Sequence, residues 1–149
     1  MKKKNFLILL LCGILSIGCT QSEDTITLIP NDFRGTIKIN FNKENGTDKS
    51  FEKNKRIYKI PESGILNTKF EPQFGYHFQE YYLVSKDGKR TEISAILNLN
   101  KEIKDTLDKN KIYAYRFMNM GKVVKIDSLG NETLQNDYGI IFSVGNPLD

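Results

Sequence analysis

The sequence predicts an all-β domain, an antiparallel β-sandwich with one short crossover helix, for which a small open β-barrel is the alternative arrangement. Three observations lead to this prediction. From residue 27 onward, apolar residues recur at every second position, which is the period of a strand with one buried face. Turn-forming pairs separate these runs, and a helical spacing of apolar residues occurs in a single segment near residue 105.

The clearest strand runs from Gly35 to Asn42, where Ile37, Ile39 and Phe41 share one face. The same alternation predicts strands over residues 56–60, 65–70, 78–84, 91–97, 112–118, 122–127 and 138–144. Between them stand pairs that reach positive φ at little cost, namely Asn45-Gly46, Ser63-Gly64, Asp87-Gly88 and Gly130-Asn131. The alternation of strand and turn continues almost to the end of the chain.

One helix is expected, over Asn100 to Asn110. Ile103 and Leu107 are four residues apart, as on one face of a helix, and Asn98 or Asn100 is suited to cap the start. We expect this segment to cross from one half of the fold to the other.

The first eighteen residues have the pattern of a secretory signal peptide. Three lysines at positions 2–4 precede an apolar run from Phe6 to Ile17. As a helix this run would reach about 18 Å, well short of the ~30 Å hydrocarbon layer of a membrane. We therefore interpret it as a cleaved signal and not as a transmembrane anchor.

Residues Leu15-Ser16-Ile17-Gly18-Cys19 resemble a bacterial lipobox, which implies that the thiol of Cys19 receives a lipid and that the chain is cut after Gly18. The alternatives are an ordinary signal peptide and an N-terminal membrane helix with an incidental cysteine. Residues 19–26 are polar and acidic, which predicts a flexible tether before a single β-rich domain over 27–149. This acidic stretch also resembles the one that accompanies export of Bacteroidota lipoproteins to the cell surface.

Removal of the signal changes the charge of the chain. The net charge is +4, but three of the 22 basic residues and none of the 18 acidic ones precede Cys19. The chain from Cys19 onward therefore has 19 basic and 18 acidic residues, and its net charge is +1. A basic stripe is missing, so nucleic acid is not an expected partner. With Cys12 removed and Cys19 lipidated, no thiol is left for a disulfide.

We expect no catalytic residue, no metal site and no cofactor. His77 is the single histidine, and the chain has no Gly-x-Ser-x-Gly elbow and no cluster with metal-ligand spacing. A catalytic pair of carboxylates for glycoside hydrolysis is left as an alternative, because Glu71, Glu80 and Glu92 could approach one another in a fold.

Residues 70–82 are rich in aromatic side chains. We expect most of these rings to fill the core of a chain that has no tryptophan. Phe74, Tyr76 and His77 lie in a loop with Pro72 and Gly75, and they are the best candidates for an exposed surface that binds a partner.

Several segments resemble a family of small Bacteroidota lipoproteins that carry a domain of unknown function: Leu28-Ile29-Pro30, Phe33-Arg34-Gly35, Arg56 to Leu66 and Phe142-Ser143-Val144-Gly145. The resemblance implies no activity, and its most specific part, Ile60 to Ile65, is expected to be architectural. Three Asp-Thr or Asp-Ser pairs followed by an aliphatic residue resemble Bacteroidota O-glycosylation sites, with Thr25, Thr106 and Ser128 as acceptors.

The expected function is a non-enzymatic binding or structural module of the cell envelope. Its partners would be the membrane, through the lipid on Cys19, and an envelope protein or glycan. The outer membrane is the expected location, on its periplasmic or its cell-surface face. The alternative is an inhibitor or immunity-type lipoprotein that blocks a hydrolase or toxin.

Overall fold

The computed structural model describes residues 22–149, and most of their regular structure lies in one nine-stranded sheet. The strands are β1 (Thr25–Pro30), β2 (Gly35–Asn40), β3 (Phe51–Glu52), β4 (Lys55–Lys59), β5 (Ile65–Asn67), β6 (Gln79–Val84), β7 (Arg90–Ile96), β8 (Tyr113–Ile126) and β9 (Glu132–Gly145). One short helix, α1 (Lys101–Thr106), lies between β7 and β8.

The strand order is β3-β4-β1-β6-β7-β8-β9-β2-β5, and the sheet is mixed. The parallel pairs are β1 with β4, β1 with β6, β2 with β5 and β7 with β8. β1 is therefore an interior strand, hydrogen-bonded on both sides although it is the first strand of the described chain.

The sheet curls into a half-barrel around one hydrophobic core. Ile37, Ile39 and Phe41 are buried in it, as their alternation predicts. The two edges of the sheet approach one another, because the ring of Phe51 in β3 lies edge-on to that of Phe70, which follows β5, at 5.3 Å between centroids. The prediction of an all-β fold with one short helix is confirmed. The single mixed sheet corresponds to the open barrel given as the alternative, and not to an antiparallel sandwich.

The helix α1 is shorter than the predicted span of 100–110. Asn100 caps it, since its side chain accepts a hydrogen bond of 2.8 Å from the amide of Ile103, and the chain is extended again at Leu107. No residue of α1 is buried, so little apolar packing favours further turns. The segment is a crossover between two parallel strands, but β7 and β8 are neighbours in the sheet, so it does not cross from one half of the fold to the other. Within residues 22–149 no helix has the length and apolar character needed to cross a membrane.

Strands β8 and β9 are longer than expected, because the predicted strands at 112–118 and 122–127 are joined into one. Irregularities between Tyr115 and Met118 and between Met120 and Lys122 interrupt the pairing without ending the strand. From Lys122 to Ile126 in β8 and from Glu132 to Asn136 in β9, the described strands pair only with one another, whereas the carbonyl oxygen of Tyr138 accepts from the amide of Phe41 at 2.9 Å. We call this projecting hairpin, residues 122–136, the arm.

The domain begins earlier than the sequence suggests. β1 starts at Thr25, and residues 22–24, which composition assigned to the tether, are hydrogen-bonded to the loop before β6. Composition could not indicate this, since the partners lie about fifty residues away in sequence. The predicted signal peptide and Cys19 lie outside the described residues.

Candidate binding site

The half-barrel is open at one end, where its interior forms a cavity of about 660 Å³. We call this cavity the cup. Its volume falls in the range of small-molecule binding pockets. The inner wall is formed by buried side chains of the core, among them Thr27, Ile39, Phe41, Tyr58, Tyr81 and Phe142. The cup is thus a continuation of the hydrophobic core toward solvent.

Aromatic rings form much of the cup wall. The ring of Tyr81 lies edge-on to that of Phe142 with centroids 5.4 Å apart, and Phe142 also stacks at 5.3 Å on Phe117, which is not part of the lining. On the other side, Tyr58 contacts the ring of Phe41 at 5.9 Å. These edge-on and stacked contacts fix the rings relative to one another, so the wall is held in place before any ligand enters.

The two buried tyrosines give the wall a polar component without a charge. Burial raises the pKa of the Tyr81 hydroxyl well above its ordinary value, and the neighbouring Tyr58 adds to this effect. Burial likewise raises the pKa of Tyr58, while the charge of Arg56 and a hydrogen bond with it act in the opposite direction. Both hydroxyls are therefore neutral at physiological pH.

A chain of hydrogen bonds connects the wall to the loop above it. The Tyr81 hydroxyl donates to the side-chain oxygen of Gln79, and the Gln79 amide nitrogen lies 2.9 Å from Nε2 of His77. Nδ1 of His77 lies 3.2 Å from the carbonyl oxygen of Gly75, which can only accept. The hydrogen is therefore on Nδ1, and Nε2 accepts from Gln79. This arrangement makes His77 a support of the loop.

Four large apolar side chains stand around the mouth of the cup, and we call them the rim: Phe74, Tyr76, Phe78 and Leu97. They are 74%, 97%, 73% and 81% exposed, respectively. The ring of Phe74 also lies edge-on to that of Tyr138, at 5.8 Å between centroids. Such a group of exposed apolar side chains beside a concave site is typical of an interaction surface.

The start of the described chain is fastened to the loop that carries the rim. Oγ of Ser22 donates to the carbonyl oxygen of Phe74 at 2.8 Å. The backbone of Glu23 both donates to and accepts from the side chain of Gln73, at 3.1 and 2.8 Å. The Asp24 carboxylate accepts from the amide of Phe78 at 2.9 Å. Residues 22–24 thus hold the loop at the mouth of the cup.

Arg56 in β4 strengthens this attachment. Its Nε donates to the carboxylate of Glu23 at 2.6 Å, and its NH1 donates to the carbonyl oxygen of Glu71 at 2.7 Å. The guanidinium also lies over the ring of Phe70, 4.8 Å from the centroid. One mostly buried side chain therefore joins the first described residues to the beginning of the loop.

Among residues 22–149, those that line the cup include no Asp, Glu, Lys or Arg. Their one imidazole is the side chain of His77. In the same part of the chain, no three His, Cys, Asp or Glu side chains are grouped as metal ligands would be. Aromatic, aliphatic and amide groups suit contact with an uncharged ligand.

The predicted site residues are brought together, with one difference in exposure. Phe74, Tyr76 and His77 all line the mouth, but His77 is half-buried by its hydrogen bonds. The sequence did not single out Phe78 or Leu97. Phe78 and Leu97 lie at the ends of the predicted strands 78–84 and 91–97, where the alternation gives no sign of an exposed surface.

The three predicted glycosylation sites differ in accessibility. Thr106 ends α1 and Ser128 lies in the turn of the arm, and both residues are exposed. Thr25 is only 3% exposed, because it pairs with β4 and β6 as the first residue of β1. Thr25 is therefore poorly accessible in the folded domain, and modification at all three positions stays a prediction.

Comparison with known proteins gives one structural and one family relationship. The fold is similar to a crystal structure described as "Putative Lipoprotein from Bacillus anthracis", with a TM-score of 0.53 and 19% identity over 85% of this chain and 73% of that one. At this identity the likeness concerns the fold. No curated protein matches the chain.

The family model described as "Family of unknown function (DUF6843)" matches residues 21–132, which include β1 to β8 and the whole rim. The match covers most of the chain, and this protein therefore belongs to the DUF6843 family.

Proposed function

We propose that this protein is a lipid-anchored, non-enzymatic binding module of the cell envelope that holds an uncharged, largely apolar group in its cup. The observation that carries the proposal is the cup itself, a preformed aromatic cavity with exposed apolar side chains at its mouth. The ligand would be an apolar group of an envelope protein, a glycan ring or a lipid.

The sequence before Cys19 supports the lipid anchor. The lipobox-like residues before Cys19 imply lipidation, and the Bacillus anthracis protein of similar fold is described as a "Putative Lipoprotein". Several acyl chains on one cysteine would bind a membrane far more firmly than a single chain. We place the domain at the outer membrane of a Bacteroidota-type envelope, to which the resemblance of the sequence points.

The chemistry of the cup favours binding over reaction. Its wall offers rings for stacking and two neutral tyrosine side chains. Burial of apolar surface contributes roughly 25 cal/mol per Å², so a ligand that covers the exposed rings would gain most of its affinity from desolvation. Polar groups at the wall would then select the orientation of the ligand.

Binding can be tested with N-phenyl-1-naphthylamine, an uncharged fluorophore whose emission rises in apolar surroundings. The full chain with Cys19→Ser keeps the whole domain and carries no lipid that could take up the probe. In this background, Ala95→Phe introduces a large ring at a position that lines the cup. We expect it to weaken probe binding at least about fivefold.

The control is Ser94→Phe, since Ser94 is exposed and points away from the face that carries Ala95. It should leave probe binding unchanged. Equal binding by the Cys19→Ser parent and by its Ala95→Phe variant, with both folded by circular dichroism, would contradict a ligand site in the cup.

A second candidate function is inhibition of a hydrolase or toxin by insertion of the rim loop. The observation that favours it is the nearly complete exposure of Tyr76 on a loop held by several hydrogen bonds. Inhibition of a panel of cell-wall hydrolases, lost in Tyr76→Ala, would support this alternative over the binding module.

A further inference from the structure

The attachment of residues 22–24 determines where an anchor at Cys19 would hold the domain. Ser22 is hydrogen-bonded to the carbonyl oxygen of Phe74, so its position relative to the rim is fixed. Three peptide units separate Cys19 from Ser22, and three residues of extended chain reach at most about 11 Å. A lipid on Cys19 would therefore keep the rim close to the membrane surface.

The rim has the composition of a membrane-interface surface. Phe74, Tyr76, Phe78 and Leu97 are each more than 70% exposed, and they surround one opening. Aromatic side chains are enriched where proteins meet the headgroup region, because their rings are apolar and the tyrosine hydroxyl remains hydrated.

The arm presents additional apolar side chains at the same end of the half-barrel. Asn40, the last residue of β2, pairs with Gly139, which lines the cup, and the arm continues beyond this pair. Ile126 and Leu129 on the arm are both exposed. The exposed apolar surface and the start of the described chain therefore lie at the same end of the molecule.

We propose that the rim docks into the lipid bilayer to which the protein is anchored, so that the cup opens toward the membrane. The inference rests on the lipid anchor of the proposed function and makes that function more specific. A cup in this position would receive its apolar ligand from the bilayer, without passage of the ligand through water.

A single tryptophan can report the docking, because the chain has none of its own. Tyr76→Trp places the reporter on the rim. The lipidated variant is reconstituted into phosphatidylcholine vesicles whose acyl chains are brominated, and bromine quenches tryptophan on contact. We expect Trp emission from this variant to shift to the blue and to lose at least about half of its intensity relative to vesicles without bromine.

The matched control is Ile65→Trp. Ile65 is also an exposed apolar residue, but it lies at the start of β5, next to the turn at the opposite end of the half-barrel. Its emission should be insensitive to bromine. Equal quenching at both positions, or quenching at neither, would overturn the docking proposal.

The same samples separate this proposal from the proposed function. Incorporation of labelled fatty acid at Cys19 is measured in parallel. Labelled protein whose rim tryptophan stays unquenched rejects docking and leaves the anchor and the cup intact. Absence of the fatty-acid label would reject both the docking and the lipid anchor. Binding of N-phenyl-1-naphthylamine by the Cys19→Ser chain does not depend on either of them.

Discussion

Gly64 lies directly against the ring of Phe33. A Cβ atom at Gly64 would stand 2.7 Å from Cζ of Phe33 and 2.9 Å from the carbonyl oxygen of Thr36. The φ of Gly64 is +73°, in the region that favours glycine, and its amide donates to the carbonyl oxygen of Pro61 to close the turn. Two segments that carry the family resemblance thus meet at one contact, at the end of the half-barrel opposite the cup.

We expect Gly64→Ala to lower the free energy of unfolding by about 2–4 kcal/mol. A positive φ costs an alanine roughly 1–2 kcal/mol, and overpacking against the ring adds typically 1–3 kcal/mol. Urea denaturation followed by circular dichroism measures the difference.

Gly88→Ala is the control, since Gly88 has a φ of +84° but no atom within 4 Å of its added Cβ. It should show the backbone cost alone. The double variant Gly64→Ala with Phe33→Leu should recover part of the loss. If Gly64→Ala and Gly88→Ala are equally destabilised, the contact with Phe33 has no energetic role.

Asn146 fastens the end of the chain to the loop before β8. Its side-chain nitrogen lies 3.2, 2.8 and 3.1 Å from the carbonyl oxygens of Asp108, Lys109 and Lys111, and its oxygen accepts from the amide of Leu148. We expect Asn146→Ala to cost about 1–3 kcal/mol, because it removes the side-chain donor of these carbonyl groups, of which that of Asp108 keeps a bond from the Lys111 amide. The midpoint of urea unfolding is the measurement.

Asn146→Asp tests whether donation is the cause. The aspartate is nearly isosteric but faces the three carbonyl oxygens with a negative charge at neutral pH, so it should be at least as destabilising as alanine. A neutral effect of Asn146→Asp would contradict this account.

Gly75 allows the first described residues to pack on the rim loop. Its φ is +115°, and a Cβ there would lie 2.9 Å from Oγ of Ser22. We expect Gly75→Ala to release residues 22–24, so that the amide hydrogens of this segment and of Phe78 exchange faster with deuterium. The core strands should keep their protection.

Gly130→Ala is the matched substitution, with a φ of +83° and open space around the added Cβ. It should leave exchange near residue 22 unchanged. Unaltered exchange at residues 22–24 in Gly75→Ala would show that the attachment does not depend on this glycine.

Stability should decline in acid because Glu80 is more acidic in the fold than in the unfolded chain. A hydrogen bond from Lys55 is the main cause that lowers the pKa of Glu80 below its ordinary 4.5. A lowered pKa contributes stability above about pH 4.5, and the contribution is lost as the pH falls through the folded-state value. Urea midpoints between about pH 3 and pH 7 should therefore fall on the acid side.

Glu80→Gln should lower stability at pH 7 and make the acid decline shallower. Glu62→Gln, in the exposed turn after β4, should change neither. An acid decline of wild-type steepness in Glu80→Gln would exclude the Lys55–Glu80 pair as a cause.

The alternation of apolar residues was sufficient to predict most strands of the sheet. Ile37, Ile39, Phe142 and Val144 are buried as their spacing requires, and Asn100 caps the helix. The order and direction of the strands could not be predicted in this way. A period of two is the same whether the neighbouring strand is parallel or antiparallel, so the parallel pairs of β1 left no signal in the sequence.

The candidate site was predictable in part. The Pro and Gly residues of the loop at 72–75 indicated that Phe74 and Tyr76 would be exposed, and the structure places both on the rim. The backbone of Phe78 is held by Asp24, whose carboxylate accepts from the Phe78 amide across 54 residues. A contact at that separation is not visible in local composition.

The interior position of β1 has a mechanical consequence. A pull on the chain at residue 24 would load β1 along its own axis, against four paired positions on β4 and six on β6. Force along the strands strains these hydrogen bonds together instead of one after another. The domain should therefore resist tension from its N-terminal side better than tension applied at the edge strand β3. There the two paired positions would separate one after the other.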